Sequence, residues 1–489
     1  MICATVAEET IDEALKWGRE ARKWADMLEL RLDYLNEPEK FPTLLDRLKG
    51  PYMVTCRSPE QGGEFTGPDR DRFQLLAEAA SRNVDYVDVD VSVPEEERER
   101  IGGTQVLSYH NFEETPDDID EILGELQQKD VDYVKIATRC TDLEDALQLM
   151  DLKPGGTRPI IVLGMGEFGL ITRLLYRKTH SMITFGAANP TRPAAPGQPS
   201  VEELRKEYRV HDVDQSTDVY GVIGDPVSHS RSPDIFNTLF DEHDMNAIYV
   251  PFRMVRSDTL SPLAHQLDLQ GASVTIPHKR TVIPFLHSLN PYAAQIGAVN
   301  TIVKIEDRYE GYNTDARAAL DAVVDCWPND DLDTEEDEPL DGIKVLLLGA
   351  GGAARAGGTA FLQAGAEVIV TNRTDENGRE LADELDTTFV PWEDRVDVEA
   401  PDLIVNSTSV GMEPMEDMTP FPSDALAAET VVFDMVYTPS ETRLLREADE
   451  QGCHTISGVE MFARQALQQF KLWTDTYASR EELPDLEGA

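Results

Sequence analysis

Two residues in the first 211 have the chemistry to attack a ketone and to move protons. Lys135 lies in Val131–Thr138, an apolar and β-branched run. Burial there disfavours the ammonium, which predicts a lowered pKa and an amine able to add to a carbonyl. The competing reading is a strand-end lysine ion-paired with Glu29 or Asp88. His110 closes the preceding run, Val106–His110. Neighbouring strand ends should set it facing Lys135, where it could carry protons near neutral pH. A histidine bonded to a loop carbonyl is the plainer alternative.

Two further motifs stand beyond residue 217. Lys344–Leu348 runs into Gly349-Ala350-Gly351-Gly352-Ala353-Ala354-Arg355, a strand, a glycine turn and a helix start. Such glycines let backbone approach a pyrophosphate seated on the helix N-terminus, though an ordinary tight turn would read alike. The next strand, Glu367–Thr371, ends in Asn372-Arg373-Thr374. An acidic residue there would suit ribose hydroxyls; the arginine suits a 2′-phosphate, which predicts NADP. In Gly224–Pro233, the hydroxyls of Ser230 and Ser232 could bind a carboxylate. A capped turn before a helix explains the same residues.

The elements that must hold these residues follow a rhythm. Eight short apolar runs occur before residue 211: Met1–Val6, Met27–Asp33, Tyr52–Arg57, Tyr86–Val91, Val106–His110, Tyr133–Thr138, Pro159–Gly164 and Met182–Ala187. Amphipathic stretches such as Ile11–Trp24, Asp69–Ser81, Asp117–Gln128 and Leu143–Asp151 separate them. Alternation of this kind predicts a parallel sheet, and eight units predict a small α/β barrel, with an open doubly wound sheet as the alternative. Polar residues at the strand ends (Glu29, Arg31, Arg57, Asp88, His110, Lys135, with Arg173 just past the seventh) would share one mouth. Converging arginines there suit an anionic, carboxylate-bearing substrate. The polar stretch His211–Asp218 then precedes a restart. The divisions are 1–211, a substrate domain over 217–325 completed by 457–480, and a Rossmann domain over 342–456.

Composition narrows the function classes. The 489 residues include 92 acidic and 44 basic ones, a formal net charge of −48. That surface repels nucleic-acid phosphates and anionic membranes. No apolar stretch is long enough to span a bilayer, and the N-terminus lacks the basic region of a signal peptide. Five cysteines without a CxxC pair predict free thiols, no metal site and a cytoplasmic protein. The dense acidic run 329–338 reads as a solvated loop. The acidity as a whole suggests a high-salt setting in which screening removes self-repulsion.

Within 1–211, Glu29-Leu30-Arg31-Leu32-Asp33, Thr55-Cys56-Arg57, Ser108–Phe112, Val134–Ala137 and Ala195-Pro196-Gly197-Gln198 resemble the type I 3-dehydroquinate dehydratases. The resemblance implies a Schiff base on Lys135, His110 as general acid/base, and Glu29, Arg31, Arg57, Arg173 and Gln198 as substrate contacts. Two positions depart from it. Gln61 stands where the family often has glutamate, with Glu60 beside it as a substitute, and Ala194 where a serine usually precedes the lid motif. From about 219 to 477, Val274–Lys279, Gly297–Thr301, Gly311–Asp315, Val405–Thr408 and Gly458–Ala466 resemble shikimate dehydrogenase. That implies Lys279 and Asp315 as the catalytic pair. Ser230, Ser232, Thr275, Asn300, Tyr437 and Gln465 would bind the polyol acid. Gly349, Ala350, Gly351, Gly352, Ala353, Asn372, Arg373, Thr374 and Gly458 would bind NADP. Ser273 replaces the usual bacterial asparagine, as in the fused plant enzymes. Together the resemblances imply a plant-like fusion making two consecutive reactions on 3-dehydroquinate and 3-dehydroshikimate, yielding shikimate. A ligand-sensing regulator that kept both folds, or a quinate oxidiser, are the alternatives.

Overall fold

The computed structural model describes all residues except 83, 229, 329–331, 333–337 and 487–489. His229 and most of the acidic run therefore lie outside the described residues. The chain forms two compact units, 1–269 and 270–489.

The first unit opens with eight parallel strands: β1 (Ile2–Val6), β2 (Met27–Arg31), β3 (Tyr52–Thr55), β4 (Tyr86–Asp90), β5 (Gln105–Asn111), β6 (Tyr133–Arg139), β7 (Ile160–Met165) and β8 (Thr184–Ala187). They pair in chain order, and β1 also pairs with β8. Between β7 and β8 the barrel is nearly closed, the isolated bridge Ile160–Ser181 linking β7 to the segment just before β8. A helix follows each strand, from Ile11–Ala21 to Val201–Lys206. This is the barrel, not the open sheet.

Strand alternation sorts the side chains. Leu28, Leu30 and Val54 are outward and buried under helices. Cys3, Met27, Met53, Val106, Ile161 and Ile183 fill the interior floor, with Tyr86 and Tyr133 against them. Two residues further along the same strands come Thr5, Glu29, Thr55, Asp88, Ser108 and Lys135. Two further still lie Arg31, Arg57, Asp90 and His110. The apolar floor changes to a polar layer over one pleat. The unit ends with the parallel pair β9 (Asp218–Gly224) and β10 (Ala247–Arg253), and the helices Ser232–Glu242 and Leu260–Leu267.

In the second unit, β11 (Gly271–Val274), β12 (Ser288–Leu289), β13 (Thr301–Ile305) and β14 (Arg308–Tyr312) form a mixed group. β13 runs antiparallel to β11 and β14, and β12 parallel to β14. The terminal helix Gly458–Thr474 packs against β13 and the helix Asp315–Asp325. Six parallel strands follow: β15 (Lys344–Leu348), β16 (Glu367–Asn372), β17 (Thr388–Pro391), β18 (Leu403–Asn406), β19 (Val431–Asp434) and β20 (His454–Ile456). Their order is β17-β16-β15-β18-β19-β20, winding outward both ways from β15. This is the doubly wound dinucleotide-binding arrangement, with its crevice beyond the β15 and β18 carboxyl ends. Val345, Leu347, Val370 and Phe433 face one helical layer, and Leu346, Leu348, Ile404 and Val432 the other. The five cysteines are free, and all but Cys326 are buried.

Candidate active sites

The barrel mouth is built around Asp88. Its Oδ1 accepts from Arg57 Nη2 at 2.7 Å and Ser108 Oγ at 2.8 Å; Oδ2 accepts from Lys135 Nζ at 3.0 Å. Burial works against the carboxylate, but Arg57, Lys135 and His110 outweigh it and hold Asp88 well below the usual range. The same competition leaves Glu29 lowered: burial raises it, and Lys135, Arg31 and Arg57 win. Glu29 accepts from Thr5 and Thr55 hydroxyls, both at 2.8 Å. Lys135 is 4% exposed, with Nζ 4.4 Å from the Phe185 ring centroid. The Lys135–Asp88 ion pair offered by the sequence is thus present, on the interior face of the barrel.

His110 is buried on the same face. Its Nδ1 lies 3.5 Å from Asp90 Oδ2, too long for a good hydrogen bond. Burial first, then Arg57, push the imidazole down to about 4, with Asp90 only partly opposing. Its ring stacks on Phe112 at 5.8 Å. Burial thus favours the neutral imidazole, and among the described residues no loop carbonyl holds the ring.

The remaining barrel residues are held but not consumed. Arg31 makes a two-pronged pair with Asp33, at 3.0 and 2.7 Å. Arg173 is buried in the short helix Leu170–Leu174, its Nη1 donating to the Phe185 carbonyl at 3.0 Å; burial lowers it to about 10. Gln198 bridges the lid motif to the barrel, donating to Thr5 Oγ1 at 3.3 Å and accepting from the Ala194 amide at 3.1 Å. Gln61 is buried between Ser92 and Arg72. Glu60 is exposed and does not take its place. Asp90 is the residue sequence reasoning misses; Asp88 enters it as a strand-end residue and as a possible ion-pair partner of Lys135. The alternation Tyr86-Val87-Asp88-Val89-Asp90 was the available signal, since it puts both carboxylates on one face.

In the same unit, the β9 loop carries Ser230 and Ser232. Ser232 opens the helix Ser232–Glu242, and its amide donates to Ser230 Oγ at 3.3 Å. The second unit holds the other polyol-site candidates. Lys279 Nζ lies 2.5 Å from Asp315 Oδ2. Asp315 Oδ1 accepts from Asn300 Nδ2 at 2.8 Å, and Asn300 is fixed in turn by Thr314 and Thr301. Asp315 also heads the helix Asp315–Asp325, where the dipole favours its charge. Thr275 shapes the turn into Lys279 through its carbonyl, which accepts from the His278 amide at 2.8 Å. Tyr437 stacks flat on Phe462 at 4.1 Å, and Gln465 donates to the Phe462 carbonyl. Gly458 starts that helix against Val436, where a Cβ would come 2.4 Å from a carbonyl oxygen. Ser273 donates to Gln469 at 2.7 Å, and Gln469 reaches Thr301, a bond no motif announced.

The glycine loop meets Lys279 directly. A Cβ on Gly352 would lie 2.9 Å from Lys279 Cδ, so the glycine leaves room for the lysine stem. Gly349 has φ +120, and a Cβ there would strike Ser407 Oγ at 2.6 Å. The helix Gly352–Gln363 has Gly351 as its N-cap and no side-chain cap bond, so its first amides, those of Gly352 and Ala353 among them, are open to an anion. Asn372 closes the β16 turn by donating to the Thr374 carbonyl at 2.8 Å. Arg373 is exposed, with no ion pair among the described residues. These features fit a phosphorylated dinucleotide.

Comparison with known proteins agrees with both halves. Residues 2–215 match the family described as Type I 3-dehydroquinase. Residues 222–302 match the Shikimate dehydrogenase substrate binding domain, and 332–418 match Shikimate / quinate 5-dehydrogenase. The chain is 35% identical to the chloroplastic bifunctional 3-dehydroquinate dehydratase/shikimate dehydrogenase of Arabidopsis thaliana, over 98% of this chain and 83% of that protein. It is 39% identical to the shikimate dehydrogenase (NADP(+)) of Maridesulfovibrio salexigens, over 54% of this chain and 93% of that one. A shikimate dehydrogenase solved in complex with NADP+ is 32% identical with a TM-score of 0.51, covering 55% of this chain and 94% of that chain.

Proposed function

This chain belongs to the family of bifunctional 3-dehydroquinate dehydratase/shikimate dehydrogenases, and from that premise we propose how its residues divide the two reactions. The enzyme dehydrates 3-dehydroquinate to 3-dehydroshikimate and reduces that product to shikimate with NADPH. Residues 1–211 carry the first step. The substrate domain, 217–325 with 457–480, and the Rossmann domain, 342–456, carry the second.

In the dehydratase, the Lys135 amine adds to the ketone carbon and water leaves to give an imine. The cationic imine withdraws electrons from the adjacent C–H bond. His110 takes that proton and returns one to the departing hydroxyl, after which water hydrolyses the imine and frees Lys135. Asp88 stays ionised, orienting Lys135 and compensating the charge of Arg57. Arg57, Arg173 and Arg31 receive the substrate's carboxylate and hydroxyls, with Glu29 and Gln198. What supports this reading above all is the buried Arg57–Asp88–Lys135 cluster beside a histidine kept neutral by burial.

In the dehydrogenase, the reduced nicotinamide supplies the hydride when bound. Lys279 delivers the proton to the nascent hydroxyl, and Asp315, fixed by Asn300, holds the lysine in place. Ser230, Ser232, Thr275, Tyr437 and Gln465 bind the polyol acid. Gly349, Ala350, Gly351, Gly352, Ala353, Gly458 and the 372–374 turn receive the dinucleotide, with Arg373 on the 2′-phosphate. Among the described residues no helix is long and apolar enough to cross a membrane. We read the protein as cytoplasmic, with small-molecule partners only. The test is a coupled assay: purified chain, dehydroquinate and NADPH. Nicotinamide absorbance should fall as shikimate accumulates; no consumption with dehydroquinate, but consumption with 3-dehydroshikimate, would remove the first activity.

A further inference from the structure

The loop after β7, Gly166-Glu167-Phe168-Gly169, lies against the lid motif and leads into the helix bearing Arg173. Gly166 donates its amide to the Pro196 carbonyl at 3.2 Å. Gly197, with φ +69, packs so closely that a Cβ would lie 2.9 Å from the Gly166 carbonyl carbon. From the other side comes Arg253, the last residue of β10. Its Nη1 lies 2.5 Å from Glu167 Oε2, and its guanidinium lies 4.7 Å from the Phe168 ring centroid. Its Nε donates to Asp225 Oδ1 at 2.8 Å. Asp225 belongs to the β9 loop that carries Ser230 and Ser232, and Arg253 is in register with Gly224 at the start of that loop.

We propose that Arg253 is a positioning residue shared by both reactions: one guanidinium fixes the loop beneath the dehydratase lid and the loop that presents the shikimate-binding serines. The inference rests on the roles given above to Gln198, Ser230 and Ser232. Its physical basis is the shape of the group. A half-exposed ion pair alone contributes little. Three contacts on one rigid planar fork fix its orientation, and with it both loops; a lysine ammonium has no second donor edge and no plane to stack. Arg256 supplies the contrast. It lies 2.7 Å from Glu144 and 3.2 Å from Asp258, and among the described residues it has no hydrogen bond or ion pair to either loop.

The test measures each half-reaction of the full chain separately, with dehydroquinate and with shikimate plus NADP+. Arg253→Ala should raise KM for dehydroquinate and KM for shikimate by about fivefold each, the scale of a lost partly exposed charge pair. Both kcat values and KM for NADP+ should hold. Arg253→Lys should fail to restore both. Glu167→Gln should raise only the first KM, Asp225→Asn only the second, and Arg256→Ala neither; these single-site variants decide the matter if Arg253→Ala does not fold. The proposal is overturned if Arg253→Ala shifts neither KM beyond the Arg256→Ala value, or only one. A wild-type chain lacking an activity altogether would fault the reading of that site, which this comparison keeps apart from the role of Arg253.

Discussion

His110 offers the sharpest physical test of the barrel site. Burial and the Arg57 cation hold its imidazole near 4, against an ordinary value of 6.5. At about 1.4 kcal/mol per pH unit, the neutral ring is favoured by about 3 kcal/mol. The sign follows from proton counting. Between pH 6.5 and 4 the unfolded chain binds the proton and the folded chain does not. The contribution to stability is therefore complete above about 6.5 and is lost as pH falls toward 4. The assay is NMR of histidine-labelled enzyme, with the His110 resonance assigned as the one missing from His110→Asn. We expect its midpoint near 4 in the free enzyme. Asp90→Asn should move it lower, because that carboxylate partly supports the charged ring. His110→Asn should also flatten part of the loss of stability between pH 6.5 and 4. A midpoint near 6.5 would refute the reasoning, because it would mean that burial and Arg57 do not control this ring.

Two further outcomes follow from charge. Arg373→Ala should weaken NADP binding by about tenfold or more, as expected for a charge-assisted contact of about 1.5–3 kcal/mol, while hardly changing NAD binding. Equal loss for both would contradict a 2′-phosphate role. With a net charge of −48, thermal unfolding should move upward between dilute and molar potassium chloride, where the Debye length falls to about 3 Å. A flat or falling curve would show that the acidity is no adaptation to salt.

Much of this architecture is legible in the sequence. The eight β-runs were visible because parallel barrel strands are buried on both faces and read as short continuous apolar segments. Glycine-loop position and the Lys279–Asp315 pair could be read because each is tied to a local motif. What was not legible depends on contacts between distant strands. Neighbouring strand ends offer Asp88 as a partner for Lys135, but its bond to Arg57, 31 positions away, is encoded by no local pattern. The same holds for Gln469, whose bond to Ser273 spans 196 positions. Glu60 was a plausible stand-in for the family glutamate by adjacency alone. The short helical turn Pro59–Gln61 turns Gln61 inward and Glu60 out, a geometric outcome that adjacency does not carry.

The central claim is that Lys135 forms a covalent imine with substrate. Dehydroquinate and borohydride together should irreversibly inactivate the dehydratase and add mass to the peptide containing Lys135, while borohydride alone should not and the dehydrogenase should survive. Lys135→Arg, which keeps the charge but cannot form the imine, should lose dehydration and the label together. Full dehydratase activity in Lys135→Arg, or trapped mass on any other peptide, would contradict the claim.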